Sequence, residues 1–357
     1  MGLVLPSGFA TDQGSASLRR LLFSRCSVDA LVGMDNRRGV FPIHRGVRFL
    51  MVTASMGTPT DRIACRLDID DPAALESMDE GISFGRPAIH VSPALLERIS
   101  GPGLAVPNLR CALDVAIVER AASLFPPLSS PTAWGVRFGR ELNASDDREA
   151  LRQVEDFADL KRAALLPVVD GKHLEPFRVA VASVRRGICP GEARRLLRSD
   201  QHERPRLGYR DVASATNRLT LIAAVLPPHC VSTHTVFCLR QPLPAARQHL
   251  LCGLFNSLVV NYLVRLRVTM HVTTATVEQL PIPTPEAAPA ACREIAALAR
   301  LLARQPDRTA FARLNARVAQ LYQLSAQEFE HILGTFPLIP REERDAALTL
   351  FVQTTLR

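Results

Sequence analysis

The stretch Leu207–Pro228, LGYRDVASATNRLTLIAAVLPP, sets the tightest limit on how this chain folds. A polar run with two arginines, an aspartate, an asparagine and several hydroxyls turns abruptly into the apolar segment Leu219–Leu226, which two prolines stop. Such a switch fits a buried strand or short helix that presents a hydrogen-bonding edge at its mouth. The residue types in Tyr209–Arg218 are able to grip a phosphate or read a base edge. They serve equally as turn and cap residues, so the stretch alone leaves both readings open.

Charge sharpens the first reading. The chain has 357 residues, a net charge of +8, and a 47% apolar, 22% charged composition that places it with globular proteins. That length allows roughly two domains with sizeable cores. Of its 43 basic residues 41 are arginine, a bias that genomic base composition produces without any anionic partner. Its distribution argues otherwise. Between Arg178 and Arg218 ten arginines face four acids, so the basicity is concentrated beside the Leu207–Pro228 stretch, as an anionic footprint requires. Eight cysteines without a CxxC pair fit reduced thiols in a cytoplasm. Met1–Ala10 has neither the basic head nor the cleavage site of a secretory signal, and Pro6 stands where a myristoylation signal needs Ser or Thr. No apolar run approaches the ~20 residues of a membrane helix. We expect a cytoplasmic protein with no membrane partner.

Met1–Gly8 contains GLVLP, a buried-strand pattern whose neighbours in a sheet must come from elsewhere. Ser17–Cys26 reads as a short helix with Leu18, Leu21 and Leu22 on one face, Val28–Met34 and Val47–Ala54 as strands, and Asp35–Gly39 as a polar loop. Together they resemble the second half of a larger α/β sheet. Pro87–His90 and Pro93–Ser100 suggest a short strand and a helix, and Asn108–Ala121 a further helix. The Pro-rich FPPLSSPTAWG then marks a boundary. Beyond it, VRFGRELN and LLPVVDGKHLEPF read as strands, the second with a turn at Asp170–Gly171, and Cys230–Leu239 as one alternating strand. Pro242–Arg267 has the spacing of one long helix, interrupted by polar Asn256 and Asn261. Cys292–Ala303 and Thr309–Leu324 read as helices, and Ser325 with Glu328 forms a capping box for Ala326–Leu333, closed by Gly334.

His229, Cys230, His234 and Cys238 are zinc-ligand types, but no CxxC or HxxxH pair forms a tight loop, and an alternating strand would turn them among hydrophobic neighbours. No GxSxG elbow supports Ser/His/Asp hydrolysis. Nor do paired carboxylates flank a lysine as in a nuclease: Asp156 and Asp159 near Lys161 read as a solvated helix face.

LGYRDVASATNRLTLIAAVLPP, with FNSLVVNYLVRLRVTMHVTTATVEQLPIP after it, resembles the target-recognition domain of type IIG restriction–modification adenine methylases. LVLPSGFATDQGSASLRRLL and DNRRGVFPIHRGVRFLMVTA resemble the last strands of that family's methyltransferase domain, LLPVVDGKHLEPF the start of its recognition domain, and QLYQLSAQEFEHILGTFPLIPREER its C-terminal helical end. The blocks keep the family's order over most of the chain. The resemblance implies an α/β remnant of a Rossmann-like methyltransferase sheet in residues 1–125, an α+β target-recognition domain in 130–285, and a C-terminal helical segment in 286–357.

It also implies double-stranded DNA as partner. Adenine methylation needs the base extruded from the stack, and the family packs the aromatic of a Phe-Pro pair against it; here that pair is Phe41-Pro42, with His44 and Arg45 beside it on the DNA. The rival reading of Phe41 is a core residue ahead of a strand. Further DNA contacts would come from Lys172, from Arg210, Thr216, Asn217 and Arg218, and from His271 and Thr273. The departures matter more. The family's glycine-rich cofactor loop and its Asn-Pro-Pro-aromatic tetrapeptide are both missing, since Pro126–Pro127 follows Phe125 and Pro227–Pro228 follows Leu226, with no Asn before either. We therefore expect no catalytic, cofactor or metal residues in this chain, with S-adenosylmethionine held by a complementary, separately encoded half. The alternatives are a non-catalytic specificity or protein-interaction subunit, a truncated remnant, and a free-standing methyltransferase with an unfamiliar cofactor site.

Overall fold

The computed structural model describes residues 1–73, 88–213, 217–268 and 271–355. It is mixed α/β, with several small sheets and helices at the C-terminal end, and forms two compact units, Met1–Ser123 and Leu124–Arg357. Among the described residues no helix is long and apolar enough to cross a membrane.

The first unit contains β1 (Gly2–Pro6), α1 (Gly8–Thr11), α2 (Ala16–Arg25), β2 (Cys26–Asp35), β3 (Arg48–Met56), β4 (Ile63–Ile69), β5 (Ile89–Val91), α3 (Pro93–Ser100) and α4 (Ala112–Leu124). The strands form one sheet in the order β1-β3-β2-β4-β5. β3 is antiparallel to both β1 and β2, so these two point the same way and are joined through α2. β2 and β3 fill the middle of the sheet with Val28, Leu31, Leu50 and Val52, each almost wholly buried. β1 is not the buried strand its apolar run suggests: among the described residues it pairs only with β3, at the edge of the sheet, and Leu3 and Val4 are exposed.

Helix α2 corrects the expected leucine face. Leu22 is buried, but Leu18 and Leu21 are 52% and 57% exposed, while Arg19 is fully buried. The Arg19 guanidinium donates to the carbonyls of Gly103 (2.8 Å), Phe9 (2.7 Å) and Asp12 (2.9 Å), so a cation ties three loop carbonyls together. Those hydrogen bonds offset the cost of taking it out of water. Burial pulls the Arg19 pKa down.

The second unit opens with β6 (Phe138–Gly139), β7 (Leu151–Gln153), α5 (Phe157–Arg162), β8 (Leu166–Val169), β9 (Leu174–Glu175), β10 (Arg178–Val179), β11 (Arg186–Ile188), α6 (Pro190–Leu197) and β12 (Arg206–Arg210). β13 (Ala223–Leu226), β14 (Val231–Ser232) and β15 (Val236–Leu239) follow. Two four-stranded sheets result, β14-β8-β11-β7 and β13-β12-β15-β6, with β9 and β10 as a small pair. The apolar half of the Leu207–Pro228 stretch becomes the approach to β13 and β13 itself. Leu219, Leu221, Ala223, Ala224 and Leu226 are buried, and β13 pairs antiparallel with β12 from Arg206↔Leu226 to Tyr209↔Ala223. Residues 230–239 are not one strand. Thr233–Thr235 turn between β14 and β15 because Thr233 Oγ1 donates to Asp170 (2.8 Å) and Thr235 Oγ1 accepts from Gly171 N (2.8 Å).

The helices are α7 (Ala245–Phe255), α8 (Leu258–Arg265), α9 (Thr274–Glu278), α10 (Pro289–Arg304), α11 (Arg308–Leu321), α12 (Ala326–Gly334) and α13 (Arg341–Thr355). The single long helix expected over 242–267 is thus two. The Asn256 side chain reaches β13, donating to Ala223 O (2.8 Å) and accepting from Ala223 N (3.1 Å), and Ser257 caps α8 by accepting from Val260 N (3.2 Å). The capping box of α12 forms as expected, with Ser325 accepting from Glu328 N (3.2 Å) and Glu328 from Ser325 N (2.7 Å). Gly334 is the last helical residue, however, and Thr335 caps the helix with an ordinary right-handed backbone.

Candidate nucleic-acid interface

The expected site residues fall into three places. In the first unit, Asn36 lies fully buried just after β2, and its side-chain amide shapes the loop that carries Phe41. It donates to the carbonyls of Phe41 and Ile43 (3.0 Å each) and accepts from Phe41 N (2.9 Å). The half-buried Phe41 ring meets Phe49 edge to face, centroids 4.9 Å apart, and packs on the cluster of Val32, Met34 and Phe49. Part of the ring is thus spent on the core. His44 and Arg45 are exposed; His44 Nδ1 accepts from Gly46 N (3.1 Å), and Arg45 donates to Arg37 O (3.2 Å).

In the second unit, Lys172, Arg210 and His271 are brought to one end of the sheet β13-β12-β15-β6 by three separate connections. Arg210 ends β12 opposite Val236, the first residue of β15. The Gly171–Lys172 turn reaches the same end through the Gly171–Thr235 bond; a Cβ on Gly171 would come within 3.0 Å of Thr235 O, so only glycine fits comfortably. The turn is held from below by Asp170, which takes both a 2.5 Å ion pair from Arg186 and the Thr233 hydroxyl. His173, buried beside it, accepts from Asp170 N through Nδ1 (2.9 Å), and burial pulls its pKa down. His271 bridges to Val212, and Val272 N donates to Asp211 O (2.8 Å), which fixes the 271–272 backbone against the end of β12. Lys172 and His271 are exposed and Arg210 half-buried. Neither Lys172 nor Arg210 forms an ion pair among the described residues.

Asn217 and Arg218 belong to a different set of contacts. Arg265 of α8 donates to the backbone oxygens of Asn217 and Arg218, to Thr220 Oγ1 (3.0 Å) and to Thr335 O (2.7 Å), with its guanidinium 3.9 Å from the Phe336 ring centroid. The Arg218 side chain turns to Glu343 of α13 (3.1 Å). Thr216 lies outside the described residues. Thr273 caps α9 by accepting from Thr276 N (3.2 Å), so its hydroxyl is engaged in helix chemistry.

The arginine concentration also looks different in three dimensions. Six of the ten arginines from 178 to 218 meet carboxylates: Arg178–Glu175, Arg186–Asp170, Arg194–Glu203, Arg195–Glu192, Arg206–Glu141 and Arg218–Glu343. Four of those acids, Glu141, Asp170, Glu175 and Glu343, lie outside the 178–218 run, so much of the local excess is paired within the protein. What remains at the sheet end is a compact set, and sequence reasoning missed one member. Arg140, just past β6, donates to Asp211 Oδ2 (3.0 Å) and lies over Phe237 at 5.0 Å. No local pattern signals it, because Asp211 is 71 residues away.

Three of the zinc-type residues are engaged with other partners. His234 Nδ1 accepts from Ala144 N (3.2 Å), Cys230 Sγ donates to Pro227 O (3.1 Å), and Cys238 Sγ contacts Ser232 Oγ (3.3 Å). Among the described residues, His229, Cys230, His234 and Cys238 form no cluster able to hold an ion.

No family model matches the chain, and no curated protein matches it. Solved structures similar to it include the type IIL restriction–modification enzyme MmeI in complex with DNA, at 12% identity over 99% of this chain and 49% of that one, with a TM-score of 0.49. The type IIG restriction endonuclease BpuSI matches at 13% identity over 98% of this chain and 46% of that one, with a TM-score of 0.37. The chain spans about half the length of each.

Proposed function

We propose that this chain is the DNA-binding, target-recognition portion of a site-specific adenine DNA methyltransferase of a restriction–modification or phage-defence system. The observation that carries the reading is the convergence of Lys172, Arg210 and His271, from three separated sequence blocks, at one end of a single sheet. Lys172 and Arg210, which hold no ion pair among the described residues, are cations suited to phosphates, and polar groups beside them are suited to base edges. The rival reading, an arginine-rich face for an acidic protein partner, loses support because six of the ten arginines already hold carboxylates within the fold.

On this reading chemistry is supplied elsewhere. β1 runs directly into Ser7, Gly8 and the short α1, and the next glycine, Gly14, comes only after that helix, so these residues do not form a glycine-rich loop to fit S-adenosylmethionine. No methyl-transfer step is assigned to this chain. The exposed apolar edge of β1, together with the exposed Leu18 and Leu21 of α2, supports a complementary methyltransferase half that continues the sheet; such edges are otherwise aggregation-prone. If so, Val4→Lys abolishes co-purification with that half while leaving DNA binding by the Leu124–Arg357 unit unchanged. Loss of DNA binding in this variant would show that β1 does something else.

Salt-titrated binding to duplexes tests the recognition role. Affinity should fall steeply with salt and favour one sequence. Lys172→Ala and Arg210→Ala should each weaken all duplexes alike and reduce the slope of log affinity against log salt by about 0.9. Equal weak binding to every duplex, or none, would end the target-recognition reading.

A further inference from the structure

We infer that Arg140 reads a guanine in the target sequence, held in position by Asp211 and Phe237, with His271 as its neighbour on the same carboxylate. This rests on the proposal that the chain binds duplex DNA, and it adds a specificity-determining residue and a base to it.

The Asp211 carboxylate is the fixed point. Its side chain is only 6% exposed, and the backbone around it is locked: Asp211 N donates to Thr235 O (3.0 Å), and its carbonyl accepts from Val272 N (2.8 Å). One carboxylate oxygen takes Arg140 Nη2 at 3.0 Å, the other lies 3.3 Å from His271 Nδ1. Both outer side chains are 52% exposed. A buried acid therefore carries two solvent-facing groups, one on each oxygen.

Arg140 is restrained a second time, because its guanidinium lies over the Phe237 ring, itself nearly buried. A guanidinium has five N–H donors, and this one makes no other side-chain hydrogen bond among the described residues, so its outward donors remain available. Guanine offers O6 and N7 as a matched pair of acceptors in the major groove, and a planar fork of donors meets them bidentately. An arginine already fixed by a carboxylate and a ring loses little freedom when it does so.

The charge balance separates base reading from phosphate gripping. Asp211 cancels the charge of Arg140 and would repel a phosphate drawn to it, whereas the donor pattern that guanine recognises is untouched. Lys172 and Arg210, with no such acid among the described residues, are the phosphate type. Nor is the Arg140–Asp211 pair needed to hold β6 in place. β6 is already paired with β15, Phe138 N donates to Glu278 (3.0 Å), and Arg137 pairs with Glu278 (2.9 Å).

The experiment is selection of a preferred duplex from a random pool by the full chain, repeated with three variants. Wild type should select a motif containing a guanine. Arg140→Ala should lose preference at that one position, with affinity for the selected duplex down roughly 5- to 150-fold and affinity for random duplex nearly unchanged. Arg140→Lys keeps the charge and the Asp211 contact but not the fork, and should fail to restore the guanine. Asp211→Asn should relax the same position without weakening random-duplex binding. An unchanged motif in Arg140→Ala overturns the inference and leaves the recognition role standing, as does an equal loss for all duplexes, the mark of a phosphate contact. A wild-type chain that selects no motif overturns both.

Discussion

Glu141→Ala lowers the unfolding free energy of the Leu124–Arg357 unit by about 3–5 kcal/mol, read by urea denaturation. Arg206 and Glu141 are each only 2% exposed in their side chains, and the carboxylate accepts from Arg206 Nε (2.6 Å) and Nη2 (2.7 Å). It also accepts from Ser232 N (2.7 Å) and Ser232 Oγ (2.9 Å), so one acid joins β12 to β14 and to the segment after β6. Deleting it leaves a buried guanidinium whose one remaining acceptor among the described residues is the backbone carbonyl of Cys230 (2.9 Å). The neighbouring thiols cannot replace the lost anion, because burial pushes Cys230 up to about 11 and Cys238 up to about 12, and both stay protonated at neutral pH. A buried ion pair is not itself a large net gain. Arg206→Met combined with Glu141→Leu should therefore recover most of the loss. A double variant as unstable as Glu141→Ala would mean that volume, not charge, sets the requirement. The consequence for function is positional: Arg206 starts the strand whose far end bears Arg210 and Asp211.

This distance between anchor and mouth explains what the sequence could and could not reveal. Elements governed by local rules were legible: the extended run of β1, though not its exposure, the capping box at Ser325, and the helix α3 opening at Pro93. The breaks were not. Residues 242–267 keep helical spacing on both sides of Asn256, and only the bonds from Asn256 to Ala223, 33 residues away, show why the helix stops there. Thr233–Thr235 alternate like their neighbours, and the turn comes from Asp170 and Gly171. The charge count failed similarly, since the acids that neutralise Arg186, Arg206 and Arg218 lie 16, 65 and 125 residues away. Of the candidate site, the sequence located Lys172, Arg210 and His271 separately. Their proximity, and the contact of Arg140 with Asp211, required the fold.

Asn261→Leu is expected to be nearly as damaging as loss of Glu141, at about 3–5 kcal/mol, from orphaned backbone groups at ~1–3 kcal/mol each. Asn261 is fully buried and uses its whole amide: Oδ1 accepts from Thr220 N and Leu221 N (2.8 Å each), and Nδ2 donates to Phe255 O (2.8 Å) and Ser257 O (2.9 Å). Thr220 and Leu221 approach β13 ahead of its paired residues, and their N–H groups are met by this side chain. Leucine matches the volume and supplies none of the bonds. Asn261→Asp separates the two halves of the role, because its oxygens still accept from Thr220 and Leu221 while the donors to α7 and α8 are lost. Amide exchange at Thr220 and Leu221 should accelerate strongly in Asn261→Leu and much less in Asn261→Asp. Unchanged exchange together with a stability loss under 1 kcal/mol would refute the assignment. The polar-to-apolar switch at Arg218–Leu219 is then held by two grips on one side, Asn261 on the apolar half and Arg265 on the polar half, both from α8. Both halves of the switch, residues 217–218 and 220–221, are thereby tied to the same helix.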